Sequence, residues 1–149
     1  LIRPAEIKEV GKLVKMGIQF HSASEMDEFY PLDENHLAAN LRRMIRAPNS
    51  RVLVLDLDGS LHGVVGFVVV PNYFSPRART AHEQFYWINP DKRGQYGKQL
   101  LIEMEEEAAA MGCTHSTMVS LEALDPDRVG KLYRGMGYQP LEHVHIKRL

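Results

Sequence analysis

Cysteine is nearly absent: Cys113 is the only one among 149 residues. No internal disulfide can form, which suits a reducing compartment and makes a cytoplasmic protein the expectation. Cys113 lies between Gly112 and Thr114 beside an apolar segment. It reads as a buried structural thiol, since no motif supports a nucleophile. Long hydrophobic runs are lacking too. The longest, Val64 to Val70, is broken by Gly66 and falls far short of the ~20 apolar residues that cross a bilayer. No stretch has the make-up of a secretory signal, although the chain begins at Leu1 and not at methionine, which leaves preceding residues open. Neither charge is in excess, the formal net charge being −1. A general nucleic-acid binder would be strongly basic, so that class is set aside. Repeats and low-complexity linkers are missing as well. What remains, 44% apolar and 25% charged residues, fits one globular domain over residues 1–149 with a core of its own.

Strand-like and helix-like segments alternate, which predicts an α/β or α+β layer architecture. Leu1 to Pro4 looks like the end of a strand. Ile7, Val10, Leu13, Val14 and Ile18 recur at helical spacing. A loop over 22–31 carries Phe29 and Tyr30, and Asp33 is placed to cap a second helix with Leu37, Leu41, Met44 and Ile45 on one face. Arg51 to Asp56 alternates as a strand does, Asp58-Gly59 is a hairpin signal, and Leu61 to Val70 is the returning strand, apolar enough to be buried on both faces. After a loop with Tyr73 and Phe74, Thr80 to Asn89 forms an aromatic-rich strand that Pro90 breaks. A helix follows from about Gly94 to Met111 with Gly112 as its C-cap. Beyond it lie a strand over 116–121, a short helix from Asp125 through Tyr133, and one or two final strands within 138–147.

The chemistry concentrates in Phe85 to Leu101. A buried strand runs into a glycine-containing turn and then into an amphipathic helix, presenting free backbone N–H groups at a helix N-terminus, a ready anion site. Gly94 and Gly97 would allow close approach of a phosphate, and Lys92, Arg93 and Lys98 add positive charge. A contact of this kind is worth ~0.3–1 kcal/mol at an exposed helix end, so several together could hold a diphosphate. Two rival nucleotide motifs do not fit. A Walker A loop needs four residues between its glycines and then Lys-Ser or Lys-Thr, whereas Gln95 and Tyr96 alone separate Gly94 from Gly97, and Gln99 follows Lys98. The dinucleotide fingerprint needs a third glycine.

Asn89-Pro90-Asp91-Lys92-Arg93-Gly94-Gln95-Tyr96-Gly97-Lys98 resembles the acetyl-CoA signature of the GCN5-related N-acetyltransferase (GNAT) family, [QR]-x-x-G-x-[GA] after a strand and a proline. Downstream, Leu132-Tyr133-Arg134-Gly135-Met136-Gly137-Tyr138 resembles that family's L-Y-x-x-x-G-[FY] ending. Two motifs at this separation, in this element order, are more specific than either alone. The loop departs from the pattern. Aligned on Gly97, Lys92 stands for the usual Gln or Arg and Gln95 for the first glycine. Aligned on Arg93-Gly94, the loop is a residue short, a form that some members, phage-encoded ones included, tolerate. Pro126 stands where the family often has an Asn.

The resemblance implies a central twisted sheet, mixed but mostly antiparallel, of about six to seven strands flanked by about four helices. It implies acetyl-CoA as co-substrate, no metal, and direct transfer to a small-molecule or peptide amine. The main chain of Trp87, Ile88 and Asn89 would bond the pantetheine arm like an added strand, and the turn from Lys92 through Arg93, Gly94, Gln95, Tyr96, Gly97 and Lys98 would cradle the diphosphate. By the same analogy the Tyr133 hydroxyl would sit beside the coenzyme sulfur. A thiol ionises near ~8.5 and a phenol near ~10, so the phenol could donate as the thiolate leaves. Such an acid contributes ~10²–10⁴-fold.

An amine must lose its proton before it attacks, and Glu83, on the aromatic strand, is the candidate base; a solvent-facing or ion-paired glutamate is the plainer reading. His82 would point to the opposite face. Phe29, Tyr30, Tyr73 and Phe74 are the aromatic candidates for the acceptor site, with Glu25, Asp27 and Glu28 as acids to draw a cation. His143-x-His145 shares one face but has no third metal ligand, and Arg42, Arg43 and Arg46 form a solvated basic edge. A homodimer through the terminal strands is compatible with this order. No contact with nucleic acid or membrane is expected. Two other readings compete with the enzyme: a catalytically silent acyl-CoA sensor or interaction module, and an α/β domain with no coenzyme.

Overall fold

The computed structural model describes all 149 residues. In chain order the elements are β1 (Ile2–Pro4), α1 (Val10–Ala23), α2 (Glu34–Arg46), β2 (Ser50–Leu57), β3 (Ser60–Pro71), β4 (Arg79–Ile88), α3 (Arg93–Ala110), β5 (His115–Thr117) and α4 (Pro126–Gly135). Short 3-10 turns occupy Ile7–Glu9, Met26–Glu28 and Pro90–Lys92.

The strands lie in the order β1-β2-β3-β4-β5. The first four are antiparallel and β5 runs parallel to β4. Asp58 and Gly59 close the β2–β3 hairpin with φ of 53° and 84°, the left-handed pair that matches a tight turn to the strand twist. The Gly59 N–H donates to Asp56 Oδ1 at 2.8 Å, fixing the register.

Both faces of the sheet are covered. Leu53, Leu55, Val65 and Phe67 point to α3 and α4, where Leu100, Leu101 and Met104 meet them. Val52, Val54 and Val64 point to α1 and α2, against Leu13, Met16 and Leu41. Burial on both sides explains why β3 is apolar almost throughout. Each large side chain so buried contributes ~1.5–3 kcal/mol. Arg3 ties the edge together: its guanidinium donates to Glu9 at 2.7 Å and to Asp56 at 2.7 Å.

Four helices flank the sheet as expected, but it has five strands and not six or seven. The strand expected over 116–121 ends at Thr117, and no strand forms within 138–147. Pro140 has no N–H to give a ladder, and Leu141 and Val144 stay exposed, so burial does not drive the segment onto the sheet. The segment is held at its start by Tyr138, whose N–H donates to the Tyr133 carbonyl and whose hydroxyl donates to Ser116 Oγ, both at 3.0 Å, and beyond its end Arg148 donates to the Glu28 carbonyl at 2.8 Å.

Candidate active site

β4 is paired on both sides only at its beginning. Thr80, Ala81 and His82 pair with His115, Ser116 and Thr117 of β5, and beyond His82 the two chains diverge. From Glu83 to Ile88 the strand is paired with β3 alone, which leaves one edge of its main chain open. The Asn89 N–H donates to the His62 carbonyl on β3 at 2.8 Å. Antiparallel pairing alternates, so Trp87 also spends its main-chain groups on β3, while those of Tyr86 and Ile88 face the open edge. Of Trp87, Ile88 and Asn89, the main chain expected to face the arm, only Ile88 faces the open edge, with Tyr86 beside it, and the Ile88 carbonyl there accepts from Arg93. Asn89 is spent further: its carbonyl accepts from the Lys92 N–H at 2.8 Å, and its Oδ1 accepts from Trp87 Nε1 at 3.3 Å.

A bulge shapes the same strand. Phe85 lies opposite Gly66 and Glu83 opposite Phe67, leaving Gln84 as an extra residue. An insertion of this kind flips the alternation. Glu83 and Tyr86, three apart in sequence, therefore share the α3 side of the sheet.

Val119, just past the end of β5, joins the two candidate catalytic residues. Its N–H donates to Glu83 Oε2 at 2.8 Å, and its carbonyl accepts from the Tyr133 hydroxyl at 2.9 Å. The Glu83 carboxyl therefore sits where the chains part, near the phenols of Tyr86, Tyr133 and Tyr138. Burial pushes its pKa up to about 7, against the pull of the Val119 amide. Glu9 makes the contrast: no more accessible to solvent, it is held below the usual carboxylate range by Arg3. Burial, and then the charge of Glu83, raises the Tyr133 phenol well above its ordinary value. The Tyr86 phenol is pushed up to about 12 by the same two causes in the same order.

The helix that leaves β4 differs from its neighbours at its start. α2 is capped by Asp33, whose Oδ1 accepts from the His36 N–H at 2.9 Å. α4 is capped by Asp125, which accepts from the Arg128 N–H at 3.3 Å. α3 starts at Lys92 with no side-chain cap and no acid in its first turn. A Cβ on Gly94 would meet nothing within 4 Å, so the approach to the turn is open. Gln95 and Lys98 are exposed, and Lys92 lies 3.5 Å from the Asp91 carboxylate.

Three members of the expected cradle have other duties. Gly97 is buried, and a Cβ there would lie 2.8 Å from the Tyr86 hydroxyl, so its missing side chain makes room for that phenol. Tyr96 packs against the core on that side. The Arg93 guanidinium donates through Nε to the Ile88 carbonyl at 3.0 Å and stacks over the Trp87 ring at 4.7 Å.

On the other side of the sheet a cavity of about 300 Å³ opens between α1, α2 and β4. Tyr30 lines it, as do Phe20, Gln84, Phe85 and Trp87, none of which sequence reasoning placed there. Phe29 and Tyr73 do not line it: Phe29 is partly exposed, and Tyr73 and Phe74 stand in solvent on the β3–β4 loop. Glu25, Asp27 and Glu28 are likewise outside its wall. No three metal-ligating side chains come together, and no helix is long and apolar enough to cross a membrane.

A family model described as the acetyltransferase (GNAT) family matches residues 18–138. No curated protein sequence matches the chain. Among solved structures, an acetyltransferase of Trypanosoma brucei is 20% identical, with a TM-score of 0.74 over 100% of this chain and 99% of that one. An aminoglycoside acetyltransferase from an uncultured soil metagenomic sample, in complex with trehalose, is 19% identical, with a TM-score of 0.76 over 100% of this chain and 95% of that one. A predicted acetyltransferase of Clostridium acetobutylicum, solved with acetyl-CoA, is 14% identical, with a TM-score of 0.79 over 99% of this chain and 95% of that one. At these identities the likeness is one of fold.

Proposed function

This chain belongs to the acetyltransferase (GNAT) family, and on that premise we propose that it moves an acetyl group from acetyl-CoA directly to a primary amine. One observation carries the reading: β4 has an open main-chain edge from Glu83 to Ile88, and it leads into a helix whose N-terminus has neither a side-chain cap nor an acid. Sheet edges and bare helix ends are the two features of a backbone that bind an amide-bearing arm and a diphosphate. The cytoplasm, which suits a chain with one thiol, is the proposed setting.

Bound acetyl-CoA supplies an acetyl group activated as a thioester. First-turn amides of α3 around Gly94 and Gln95, with Lys98 and Lys92 nearby, would hold its diphosphate. The Tyr86 main chain would bond the arm, and that of Ile88 would join once Arg93 releases the carbonyl. The amine attacks the carbonyl carbon, the C–N bond forms, the C–S bond breaks, and the electron pair leaves on sulfur.

Glu83 is the proposed base. A carboxyl near 7 is half ionised at neutral pH, the condition under which a base is both available and effective. It would receive the amine proton directly or through one water. Tyr133 stays protonated at every working pH. Its site makes it a weaker acid than a free phenol, so full proton transfer to a thiolate near ~8.5 runs uphill. Its contribution is then a hydrogen bond to the departing sulfur, made by turning the hydroxyl away from Val119.

The test has two arms. Coenzyme A at 100 times its dissociation constant should stabilise the protein by ~2.7 kcal/mol, read as a thermal shift. Acetyl-CoA consumption with a set of amines should then fall in Tyr133→Phe. No shift sinks the reading; a shift without turnover in the wild type turns it into a silent acyl-CoA module.

A further inference from the structure

Resting on that reading, we infer that the acceptor is a small monoamine with an apolar, preferably aromatic, body, seated between α1 and α2 with its amine directed to the bulge at Gln84. The cavity of about 300 Å³ lies at the lower limit of ordinary ligand sites, ~300–1,000 Å³, so its occupant is small. Its wall is aromatic where it nears β4. Phe20 and Trp87 meet edge to face with centroids 6.3 Å apart, and Phe85 lies beside them.

Charge is scarce in this wall. Asp33 is its one carboxylate, exposed at the rim, where its Oδ1 accepts from the His36 N–H. His21 is committed as well, its Nε2 donating to the Tyr30 carbonyl at 2.6 Å. A polyamine or aminoglycoside would bring two or more further ammonium groups to a wall with a single carboxylate, where the Asn40 and Gln84 amides can accept but supply no counter-charge, and a charge left without one is costly. A single amine avoids this cost by pointing at the bulge. There the cavity reaches β4 through Gln84 and Phe85, next to the open edge and on the far side of the sheet from α3.

The experiment uses the full chain with saturating acetyl-CoA and follows thiol release with phenethylamine, hexylamine, spermidine and sisomicin. The expected result is a kcat/KM for phenethylamine at least about tenfold above those of both polycations, with hexylamine between. Phe85→Leu should raise the KM for phenethylamine about tenfold, the range expected when one apolar contact is lost from a pocket. The coenzyme A thermal shift should stay unchanged in that variant, a result that loss of folding would not give. If coenzyme A binds and spermidine or sisomicin reacts faster, or if no amine reacts, the inference is overturned while the coenzyme site stands. If coenzyme A does not bind, the underlying reading fails first.

Discussion

The two faces of this sheet bury similar sets of aliphatic side chains, yet they differ where they meet β4. On the α3 side the packing closes on a carboxyl, Glu83, which accepts from the Val119 N–H and lies near enough to the phenols of Tyr86, Tyr133 and Tyr138 for its charge to raise them. On the α1–α2 side it stays open over a cavity walled by Phe20, Phe85 and Trp87. The bulge at Gln84 separates the two. One face therefore holds titratable groups at fixed positions, and the other leaves an open space. The reacting atoms would meet between them, at the open edge.

The sharpest way to break this contrast is to remove one hydroxyl from the closed face. Tyr133→Phe deletes the donor to the Val119 carbonyl. Turnover of acetyl-CoA with a good amine should fall ~10²-fold or more, the cost of losing one donor to a developing charge, while stability changes by only ~1 kcal/mol and the coenzyme A thermal shift persists. A rate within a factor of two of the wild type would remove Tyr133 from the chemistry.

Next in size is Glu83→Gln, read against pH. The folded carboxyl is raised by burial from 4.5 to about 7. Its neutral form therefore stabilises the fold fully below about 4.5, and that contribution is lost as pH rises through about 7. A shift of this size corresponds to ~3 kcal/mol. The wild type should lose that much relative to Glu83→Gln between pH 4.5 and pH 8, seen in urea denaturation at each pH. The rising limb of kcat/KM, centred at about 7 in the wild type, should disappear in the variant. Parallel stability curves would mean that Glu83 is not buried as described.

A matched pair of glycines sharpens the comparison further. A Cβ on Gly97 would lie 2.8 Å from the Tyr86 hydroxyl on the closed face, and one on Gly17 would lie 2.7 Å from Leu37 Cδ2 beside the cavity. The nominal clashes are alike, but only the Leu37 methyl has space to yield. Gly97→Ala should cost ~1–3 kcal/mol through overpacking, and Tyr86→Phe in the same chain should recover most of it. Gly17→Ala should be neutral or gain up to ~1 kcal/mol from helix propensity. Thermal denaturation of the four proteins decides the matter.

Much of the architecture was legible because the residues that set it act locally. Asp58-Gly59, the caps Asp33 and Asp125, and the helical spacing of Val10, Leu13 and Val14 all state their structure within a few residues. The signature turn and Tyr133 were legible as motifs. The bulge was not. Strict alternation from Ile88 puts Glu83 on the opposite face from Tyr86, and only the cross-strand partners Gly66 and Phe67 reveal the inserted Gln84. Val119 was equally hidden, because it contributes main-chain groups alone. The neighbour of Gly97 was not legible, because a glycine does not announce what fills the space beside it, here the Tyr86 hydroxyl. The strands expected within 138–147 do not form because Leu141 and Val144 gain no burial there, even though the sheet has an open edge.

The smallest expected effect tests the premise of the closed face most directly, because it sets stability against binding. Lys92 occupies the N-cap of α3, where its neighbours α2 and α4 carry Asp33 and Asp125. For folding alone, an aspartate would serve better there, since its charge complements the helix dipole. Lys92→Asp should therefore raise the stability of the free protein by ~0.3–1 kcal/mol. The same carboxylate would repel the charge of the coenzyme diphosphate. Affinity for coenzyme A should fall, by about tenfold at low salt and less at high salt, where screening shortens the reach of the new charge. Calorimetric titration of coenzyme A at two salt concentrations, beside thermal denaturation of the free protein, reads both effects. Opposite signs would mean that the bare N-terminus of α3 gives up stability for an anion. A variant that gains stability and binds coenzyme A as before would place the diphosphate somewhere other than this helix end.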